Sequence, residues 1–497
     1  MNTPEVVDVA VIGAGFGGLS AALTLAERGA SLAIFERLTY PGGCASTFRR
    51  RGYRFESGAT LFSGFGEGQL FARWIERHDL PVRFESMDPL VTLRAPDFEL
   101  PISSDRQALT ASFCALPGAP GDAIERFFDY QRRVADALWQ LFDDPTLLPP
   151  FTPSNLMRHI ARSPGYLVLL GAVGRSVGDL LKRFDLQNFL PLRTYLNAVC
   201  QITVQASADE AEAPFALAAM DYFFRGTGHI HGGIGQLAMA LSDAIENLGG
   251  QVLMADAVRR ISRDQDHWVV ESRRHTLRAR YVVANLLPSA LLKLLEDPTL
   301  ARPSLHRKQR AVEGGWGAAM LYLGVDRQKI SRPEAFHLEL VDDPHAPFQE
   351  GNHIFCSVSG ADEKGRAPDD QRVVTVSTHV DMQRYLGGSP EERATYTQAI
   401  QDRMRQTLTL RAPELASATL FEMTGSPRTF ERFTGRPGGF VGGIPRKKGL
   451  HHYRDLGPQQ VAQDLYLVGD TAFPGQSTLA VALGGLRTAE HIFNALQ

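Results

Sequence analysis

The sequence predicts an α/β fold, because three glycine-bearing stretches each lie next to an apolar run or a helical pattern of the kind that builds a covered parallel sheet. The first is VVDVAVIGAGFGG near the start, and the second is LYLVGDTAFPGQSTLAVALGG near the finish. The third, HGGIGQLAMAL, lies in the middle and opens a helical pattern. Together they indicate a Rossmann-type nucleotide-binding domain split into three segments, with a mixed α+β substrate domain built from the two insertions between them.

The first stretch carries the dinucleotide fingerprint in its full context. Gly13, Gly15 and Gly18 open a helix after a strand predicted over residues 6–12, and Glu36 closes a second apolar run. Gly13 permits a tight turn, Gly15 lets the backbone approach a pyrophosphate, and Gly18 lets the helix lie close to the strand. The helix N-terminus then presents unpaired N–H groups to the phosphates, and Glu36 accepts hydrogen bonds from the adenosine ribose.

The last stretch distinguishes FAD from NAD as the predicted cofactor. Gly469 and Asp470 follow a strand predicted over residues 465–468, and the carboxylate is placed to bind ribityl or pyrophosphate-linked oxygens. A helix is predicted after them over residues 477–486, and Leu479 and Ala480 near its start are assigned to the cofactor site. Its N-terminus would stabilise negative charge on the N1/C2=O side of a reduced flavin.

Two further positions belong to the predicted FAD site. Gly43 is expected to bring backbone close to the cofactor, and Val258 is expected to lie near the adenine, although a valine there also fits the core. His229 and His231 flank the central glycines. We favour a structural or solvent-facing position for both histidines over a role in proton transfer, because histidine serves many purposes in proteins.

Composition bounds the class of protein. A chain of 497 residues exceeds the size at which one core keeps growing, so two domains are expected. A net charge of −3 with 22% charged residues argues against a nucleic-acid partner. The four cysteines lack metal-ligand spacing, which predicts no metal site and favours the cytoplasm. We expect no signal peptide or membrane-spanning helix, and the composition leaves the oligomeric state open.

The predicted FAD-binding domain comprises residues 1–85, 225–302 and 458–497, and the substrate domain comprises residues 86–224 and 303–457. Periodicity predicts helices in the substrate domain over residues 123–142 and 153–184. Strands are predicted in both domains at HWVVES, ARYVVANLLP, AAMLYLGVD and VVTVSTHVD.

These stretches resemble the carotenoid desaturase and carotenoid isomerase family of FAD enzymes, which includes the phytoene desaturases and is related to amine oxidases. The resemblance covers nearly the full length and rests on GAGFGG with Glu36, PGGCAST followed by GYRFESGAT, HGGIGQLAMAL with Val258, and LYLVGDTAFPGQSTLAVALGGL. The FPGQ segment is more similar to the isomerase and 3′,4′-desaturase branches. Glu56 and Ala59 depart from the family, which more often has aspartate and proline there.

The resemblance implies an FAD-dependent oxidoreductase that desaturates a long apolar polyene, a carotenoid, by hydride transfer to flavin N5. Because the flavin supplies the chemistry, no side chain is assigned as catalytic. The alternatives are a carotenoid cis–trans isomerase that uses reduced FAD, a retinoid saturase or amine oxidase, and a non-enzymatic prenyl-lipid escort protein. The intact Gly469 and Asp470 argue against the escort protein.

The resemblance also implies an apolar substrate tunnel and contact with a membrane surface. The candidate tunnel residues are Tyr222, Phe223, Phe224, Phe430, Phe433 and Phe440, although aromatic side chains more often fill a core. A basic amphipathic segment over residues 157–183 is the candidate for peripheral membrane association, and a helix pair that caps the substrate domain fits it equally well.

Overall fold

The computed structural model describes residues 5–58, 60–144, 147–149 and 153–497, so that Ala59 and residues 1–4 of the first predicted segment lie outside it. Its strands are β1 (Glu5–Ile12), β2 (Leu32–Phe35), β3 (Thr47–Arg50), β4 (Tyr53–Glu56), β5 (Phe84–Ser86), β6 (Val91–Ala95), β7 (Phe98–Ile102), β8 (Gly228–Ile230), β9 (Gln251–Leu253), β10 (Val258–Asp264), β11 (His267–Ser272), β12 (Thr276–Ala284), β13 (Trp316–Asp326), β14 (Phe336–Val341), β15 (His353–Val358), β16 (Gln371–Asp381), β17 (Thr419–Gly425), β18 (Gln459–Ala462) and β19 (Leu465–Leu467).

The helices surround these strands and include one long helix close to the predicted span of residues 123–142. They are α1 (Phe16–Glu27), α2 (Leu70–Arg77), α3 (Arg106–Cys114), α4 (Gly121–Asp143), α5 (Pro153–Tyr166), α6 (Val177–Arg183), α7 (Leu190–Val204), α8 (Ala213–Met220), α9 (Gly235–Asn247), α10 (Pro288–Leu294), α11 (Pro303–Val312), α12 (Met382–Gly387), α13 (Pro390–Arg411), α14 (Pro413–Ala418), α15 (Pro427–Thr434) and α16 (Thr478–Leu496).

The first sheet has the strand order β10-β11-β12-β1-β2-β9, and β19 joins it by pairing with β12 and β18. β1 pairs in parallel with both β2 and β12. Val9 and Val11 pack into one hydrophobic cluster, whereas Ala10 and Ile12 pack into another on the opposite face. A strand segment covered on both faces is apolar at successive positions, which is why β1 ends in a continuous apolar run over residues 9–12, whereas Asp8 before this run is only partly buried.

Helix α16 connects the C-terminal part of the chain to this first sheet by packing against α1. The Ser20 hydroxyl donates a 2.5 Å hydrogen bond to the carbonyl of Ala482. A Cβ at Gly485 would lie 2.2 Å from the carbonyl oxygen of Gly17, so glycine permits the close approach. The two glycine-bearing ends of the sequence are therefore adjacent in space.

The second sheet has the order β17-β13-β16-β15-β14-β6-β7 and is antiparallel except between β14 and β6. Its strands come from both predicted insertions, and the β6–β14 pair joins them. The predicted fold class is confirmed: a Rossmann-type sheet assembled from three parts of the chain stands beside a mixed substrate domain. The residue boundaries of the two domains stay a prediction.

The segment proposed for membrane contact is not one continuous helix. Helix α5 is followed by a 3₁₀ turn at Leu167–Gly171 and then by α6. Met157, Leu167 and Leu170 are 66%, 65% and 75% exposed. In the described ranges, no helix has both the length and the apolar character that a bilayer-spanning segment needs.

Candidate active site

A cavity of about 610 Å³ lies between the two sheets. Ile12 and Gly13 at the end of β1 line it from the first sheet, and Met320, Phe355 and Ser377 line it from the second. Its volume falls in the range of about 300–1,000 Å³ that is typical of ligand sites. The cavity is where most of the residues predicted for the cofactor site meet.

The glycine turn after β1 forms part of the cavity wall. Gly13 has φ +96°, a conformation that favours glycine, and both Gly13 and Gly15 face the cavity. A Cβ at Gly18 would lie 2.1 Å from the carbonyl oxygen of Gly13. Gly18 therefore permits the close packing of α1 on the strand that the sequence predicts. It does not line the described cavity wall.

Helix α1 presents an uncompensated N-terminus to the cavity. Gly15 at the N-cap offers no side-chain acceptor, and the first turn contains no acidic residue. Phe16 and Gly17 of this turn line the cavity. Because the N–H groups of a first helical turn have no partner within the helix, this end is suited to an anionic group such as a pyrophosphate.

Glu36 is a buried carboxylate on the cavity wall and is only 6% exposed. Its Oε2 accepts from the backbone N–H of Ala14 at 3.0 Å, and its Oε1 accepts from that of Leu38 at 2.8 Å. Burial raises the pKa of Glu36 above its usual value, against the effect of these two hydrogen bonds. Each oxygen keeps further acceptor capacity, so the carboxylate could still bind ribose hydroxyls.

Asp470 is paired with an arginine that sequence reasoning missed. Arg436 Nη2 donates to Asp470 Oδ2 at 2.7 Å, and both residues line the cavity beside Gly469 and Cys44. Burial raises the pKa of the Cys44 thiol. The Asp470 carboxylate therefore presents one oxygen to a guanidinium, and a cofactor at this wall would meet an ion pair instead of an isolated anion.

The N-terminus of α16 faces the cavity through other residues than predicted. Ser477, Thr478 and Val481 line the wall. Ala480 lies off the described wall, and its N–H donates to the Ser477 hydroxyl at 3.0 Å. Leu479 points away into the core, where it is 3% exposed. Their neighbours present the same helix end to the cavity, and the assignments of Leu479 and Ala480 to the cofactor stay a prediction.

The remaining predicted cofactor residues, Gly43 and Val258, both line the cavity. Lys293 lies on the same wall as Val258 and adds a positive charge there. Asn285, which follows β12, was not predicted. Its Nδ2 donates to the carbonyl of Gly13 at 3.3 Å, and it occupies the space that a Cβ at Gly15 would need.

Of the six predicted tunnel residues, Tyr222, Phe223 and Phe430 line the described cavity wall, whereas Phe224, Phe433 and Phe440 do not. Phe430 is on the wall and is 5% exposed. Phe433 is 47% exposed, because α15 is amphipathic and turns this residue to solvent. Phe224 is half-buried and packs under the Arg106 guanidinium at 4.4 Å, off the described wall. Unpredicted wall residues on the substrate side include Met320, Phe355 and Ile202.

His229 belongs to a buried ion-pair network away from the cavity wall. Its Nε2 lies 2.8 Å from Oε1 of Glu363, and Arg366 bridges Glu363 at 3.2 Å and Glu56 at 3.0 Å. Hydrogen bonds from the backbone N–H groups of the central glycine loop satisfy these carboxylates. This network gives Glu56 a structural role and fits the structural position expected for His229.

These features fit FAD. The cradle consists of glycine turns that a Cβ would obstruct, two helix N-termini without acids in their first turns, and a buried carboxylate. We expect Gly13, Gly15, Glu36 and Gly43 to hold the cofactor with Asp470. Val258, Gly469, Thr478 and Arg436 would complete the site.

Comparisons with known proteins agree. Residues 16–414 match the family model of flavin containing amine oxidoreductases. Prolycopene isomerase 2, chloroplastic, from an Oncidium hybrid cultivar is 25% identical over 511 positions, which cover 98% of this chain and 84% of that protein. The 4,4′-diapophytoene desaturase (4,4′-diapolycopene-forming) of Methylomonas sp is 23% identical over 332 residues, with 66% and 62% covered.

Among solved structures, putrescine oxidase bound to putrescine superposes with a TM-score of 0.64 at 15% identity, covering 98% of this chain and 99% of that chain. This likeness supports the fold. The predicted resemblance to carotenoid desaturases and isomerases and the predicted FAD cofactor are both confirmed, and the escort-protein alternative is excluded because the chain is an enzyme. The protein is an FAD-dependent oxidoreductase and belongs to the family of flavin-containing amine oxidoreductases.

Proposed function

We propose that the protein acts on a long apolar polyene and that its reaction is a desaturation. The observation that carries this proposal is the distribution of charge around the main cavity. The charged wall residues lie on the cofactor side and are Glu36, Arg37, Asp256, Lys293, Arg436 and Asp470. The described wall of the substrate side is formed by apolar, hydroxyl, amide and neutral imidazole groups.

The substrate side suits a hydrocarbon and disfavours an amine. Met320, Phe355 and Phe430 supply apolar surface, and no carboxylate of the described wall lies among them to meet an ammonium group. Burial lowers the pKa of His379 to about 4, so its ring is neutral at pH 7. An apolar chain would therefore be buried without leaving a charged wall group unsolvated.

When bound, FAD supplies the redox chemistry by accepting a hydride at N5. The chain's own contribution is to bind, orient and exclude water. The neutral His379 imidazole is the wall group on β16 that could accept the proton lost from the neighbouring carbon.

Isomerisation of a polyene with reduced FAD is the second candidate. It is favoured by the length of the match to the prolycopene isomerase, which extends over 98% of this chain, against 66% for the desaturase. The two reactions differ in their redox balance, because desaturation removes two hydrogens for each double bond and isomerisation removes none.

The test is product analysis after anaerobic incubation of the holoprotein with linear carotenoids. Desaturation requires oxidised FAD, lowers the product mass by two hydrogens per double bond and shifts its absorbance to longer wavelength. A product of unchanged mass, formed only with reduced FAD, would establish the isomerase instead. Turnover of an aliphatic amine without turnover of any polyene would overturn both.

We also propose peripheral contact with a membrane through an apolar patch formed by Met157, Leu167, Leu170 and Leu450. All four side chains are between 65% and 75% exposed. Leu450 approaches the end of this segment, because its Cδ2 lies 3.8 Å from the position of a Cβ at Gly174. Exposed apolar groups suit a lipid interface, which is also where a polyene substrate dissolves, and Arg158 in the same segment is 55% exposed and pairs with Asp144 at 3.7 Å.

A further inference from the structure

A second, smaller cavity adjoins the main one and contains an arginine. Its volume is about 30 Å³, which exceeds the roughly 10–15 Å³ that one water molecule needs. Trp139, Phe142, Phe215 and Ala218 give it apolar walls, and Arg446 lines it as a single cation. It is thus a mainly apolar compartment in which Arg446 is the one charged group of the described wall, beside the polar side chains of Thr203, Tyr222 and Gln476.

Arg446 has no carboxylate as an ion-pair partner in the described part of the chain. Its Nη2 donates to the carbonyl of Pro474 at 3.2 Å, and its guanidinium lies 5.2 Å from the centre of the Phe215 ring. Asp455, the carboxylate whose charge most affects Arg446, lies 3.9 Å from the ammonium of Lys308. Neutral acceptors and an aromatic face are therefore the partners of this charge.

His452, the other neighbour of Arg446, is also neutral. Its Nε2 lies 2.6 Å from the carbonyl oxygen of Lys447, and a carbonyl can only accept. The ring hydrogen is therefore on Nε2, which leaves Nδ1 as the acceptor for Arg446 Nη1 at 3.5 Å. Burial lowers the pKa of His452 to about 4, and burial also lowers that of Arg446 to about 10. At pH 7 the pair carries one net positive charge.

The two cavities share part of their walls. Thr203, Tyr222 and Gln476 line both of them. A chain that occupies the substrate side of the main cavity could pass an end group between these residues toward Arg446. The shared wall therefore connects the apolar binding space with the cation.

We propose that Arg446 binds a carboxylate at one end of the substrate, which makes the substrate a polyene acid. The inference rests on the proposed function, because it requires an apolar chain in the main cavity. A guanidinium pairs with a carboxylate through two parallel N–H bonds, whereas a hydrocarbon end would leave the buried charge without a counter-ion. The small volume and the apolar walls select a single planar carboxylate over a phosphate.

The test compares the holoprotein's affinity for a linear polyene acid, its methyl ester and the parent hydrocarbon. Binding is followed by quenching of tryptophan fluorescence, and Trp139, one of four tryptophans, is 3% exposed on the wall of the small cavity. We expect the acid to bind at least about tenfold more tightly than the ester, the usual effect of a hydrogen bond to a charged group. Arg446→Met should abolish this preference without weakening the ester, and Arg446→Lys should keep part of it.

Arg487→Met provides the matched control. Like Arg446, Arg487 donates to a backbone carbonyl, that of Leu456 at 3.0 Å, and its guanidinium lies over an aromatic ring, that of Phe473. Arg487 lies off the described walls of both cavities. This variant should keep the preference for the acid. Because the comparison of acid with ester is made first in the unaltered protein, it does not depend on the folding of any variant.

Equal affinity for acid and ester in the unaltered protein would overturn the proposal, as would an acid preference that survives in Arg446→Met. If the hydrocarbon binds but the acid is not preferred, the inference fails and the proposed polyene function stands. If none of the three ligands binds, the polyene function fails with it. A changed FAD midpoint potential in Arg446→Met, with the acid preference intact, would assign the charge to the cofactor instead.

Discussion

Replacement of Glu36 tests the cofactor site most directly. In Glu36→Ala the ribose loses a charged acceptor, and hydrogen bonds to charged groups contribute about 1.5–3 kcal/mol. That range corresponds to roughly a ten- to hundredfold rise in the Kd for FAD. The carboxylate is 6% exposed on the cavity wall, so water cannot readily take its place.

The structure adds a second effect of the same change. The N–H groups of Ala14 and Leu38 both lose their acceptor in Glu36→Ala. Each unsatisfied buried donor costs about 1–3 kcal/mol, so the apoprotein should also lose stability. Glu36→Gln keeps one carbonyl oxygen as an acceptor and should lose less stability than the alanine variant while still weakening FAD binding.

The assay is titration of the apoprotein with FAD, followed by quenching of flavin fluorescence, together with thermal unfolding of the same apoprotein. The stability readout separates loss of the site from loss of the fold. If Glu36→Ala unfolds normally and binds FAD with an unchanged Kd, the ribose is anchored elsewhere and the assignment is refuted.

The pH dependence of apoprotein stability gives an independent check. Burial raises the pKa of Glu36 in the folded state, so the folded protein holds this proton more tightly than the unfolded chain does. The stability that the group contributes is fully present below the pKa of the unfolded chain and is lost as the pH rises through the folded pKa. Glu36→Gln should remove this component.

Three further changes test other parts of the site. Gly15→Val should give colourless protein, since a Cβ there would meet a side-chain nitrogen at 2.6 Å and the branches would enter the pyrophosphate space; stoichiometric flavin in this variant would contradict the assignment. Asp470→Ala should lower FAD content and turnover together, because Arg436 loses its 2.7 Å partner, whereas full FAD content without turnover would indicate a direct chemical role. Leu170→Asp should reduce flotation with anionic liposomes, and Leu410→Asp, which alters an exposed leucine on α13, should not; equal flotation of both would place the docking surface elsewhere.

Much of the fold follows from local sequence. The apolar run at the end of β1 and the glycines after it predict a covered parallel strand and a phosphate-facing helix, because both depend on neighbouring residues and on backbone conformation. The predicted helix over residues 123–142 corresponds to α4, and the HWVVES strand corresponds to β11. Periodicity likewise placed strands at β13 and β16, although it could not determine that they pair with each other.

The parts of the site that only the tertiary structure decided are contacts between distant residues. Arg436 and Asp470 are 34 positions apart, and Asn285 reaches Gly13 from 272 positions away. Helical periodicity did not indicate which face of α15 would be covered, so Phe430 and Phe433 were predicted alike and only Phe430 reached the wall.

The sequence by itself predicted that this chain binds a dinucleotide at glycine turns, since the backbone conformation of such a turn depends on consecutive residues. The sequence could not determine that the Ser477 hydroxyl accepts a hydrogen bond from the N–H of Ala480, because helix starts that differ by one residue have the same local pattern. Nor could it place Arg446 beside a cavity without a carboxylate, because an arginine's partners depend on which distant segments fold around it. Local conformational preference therefore determined the cofactor cradle, and long-range packing decided the charges and the shape of the substrate space.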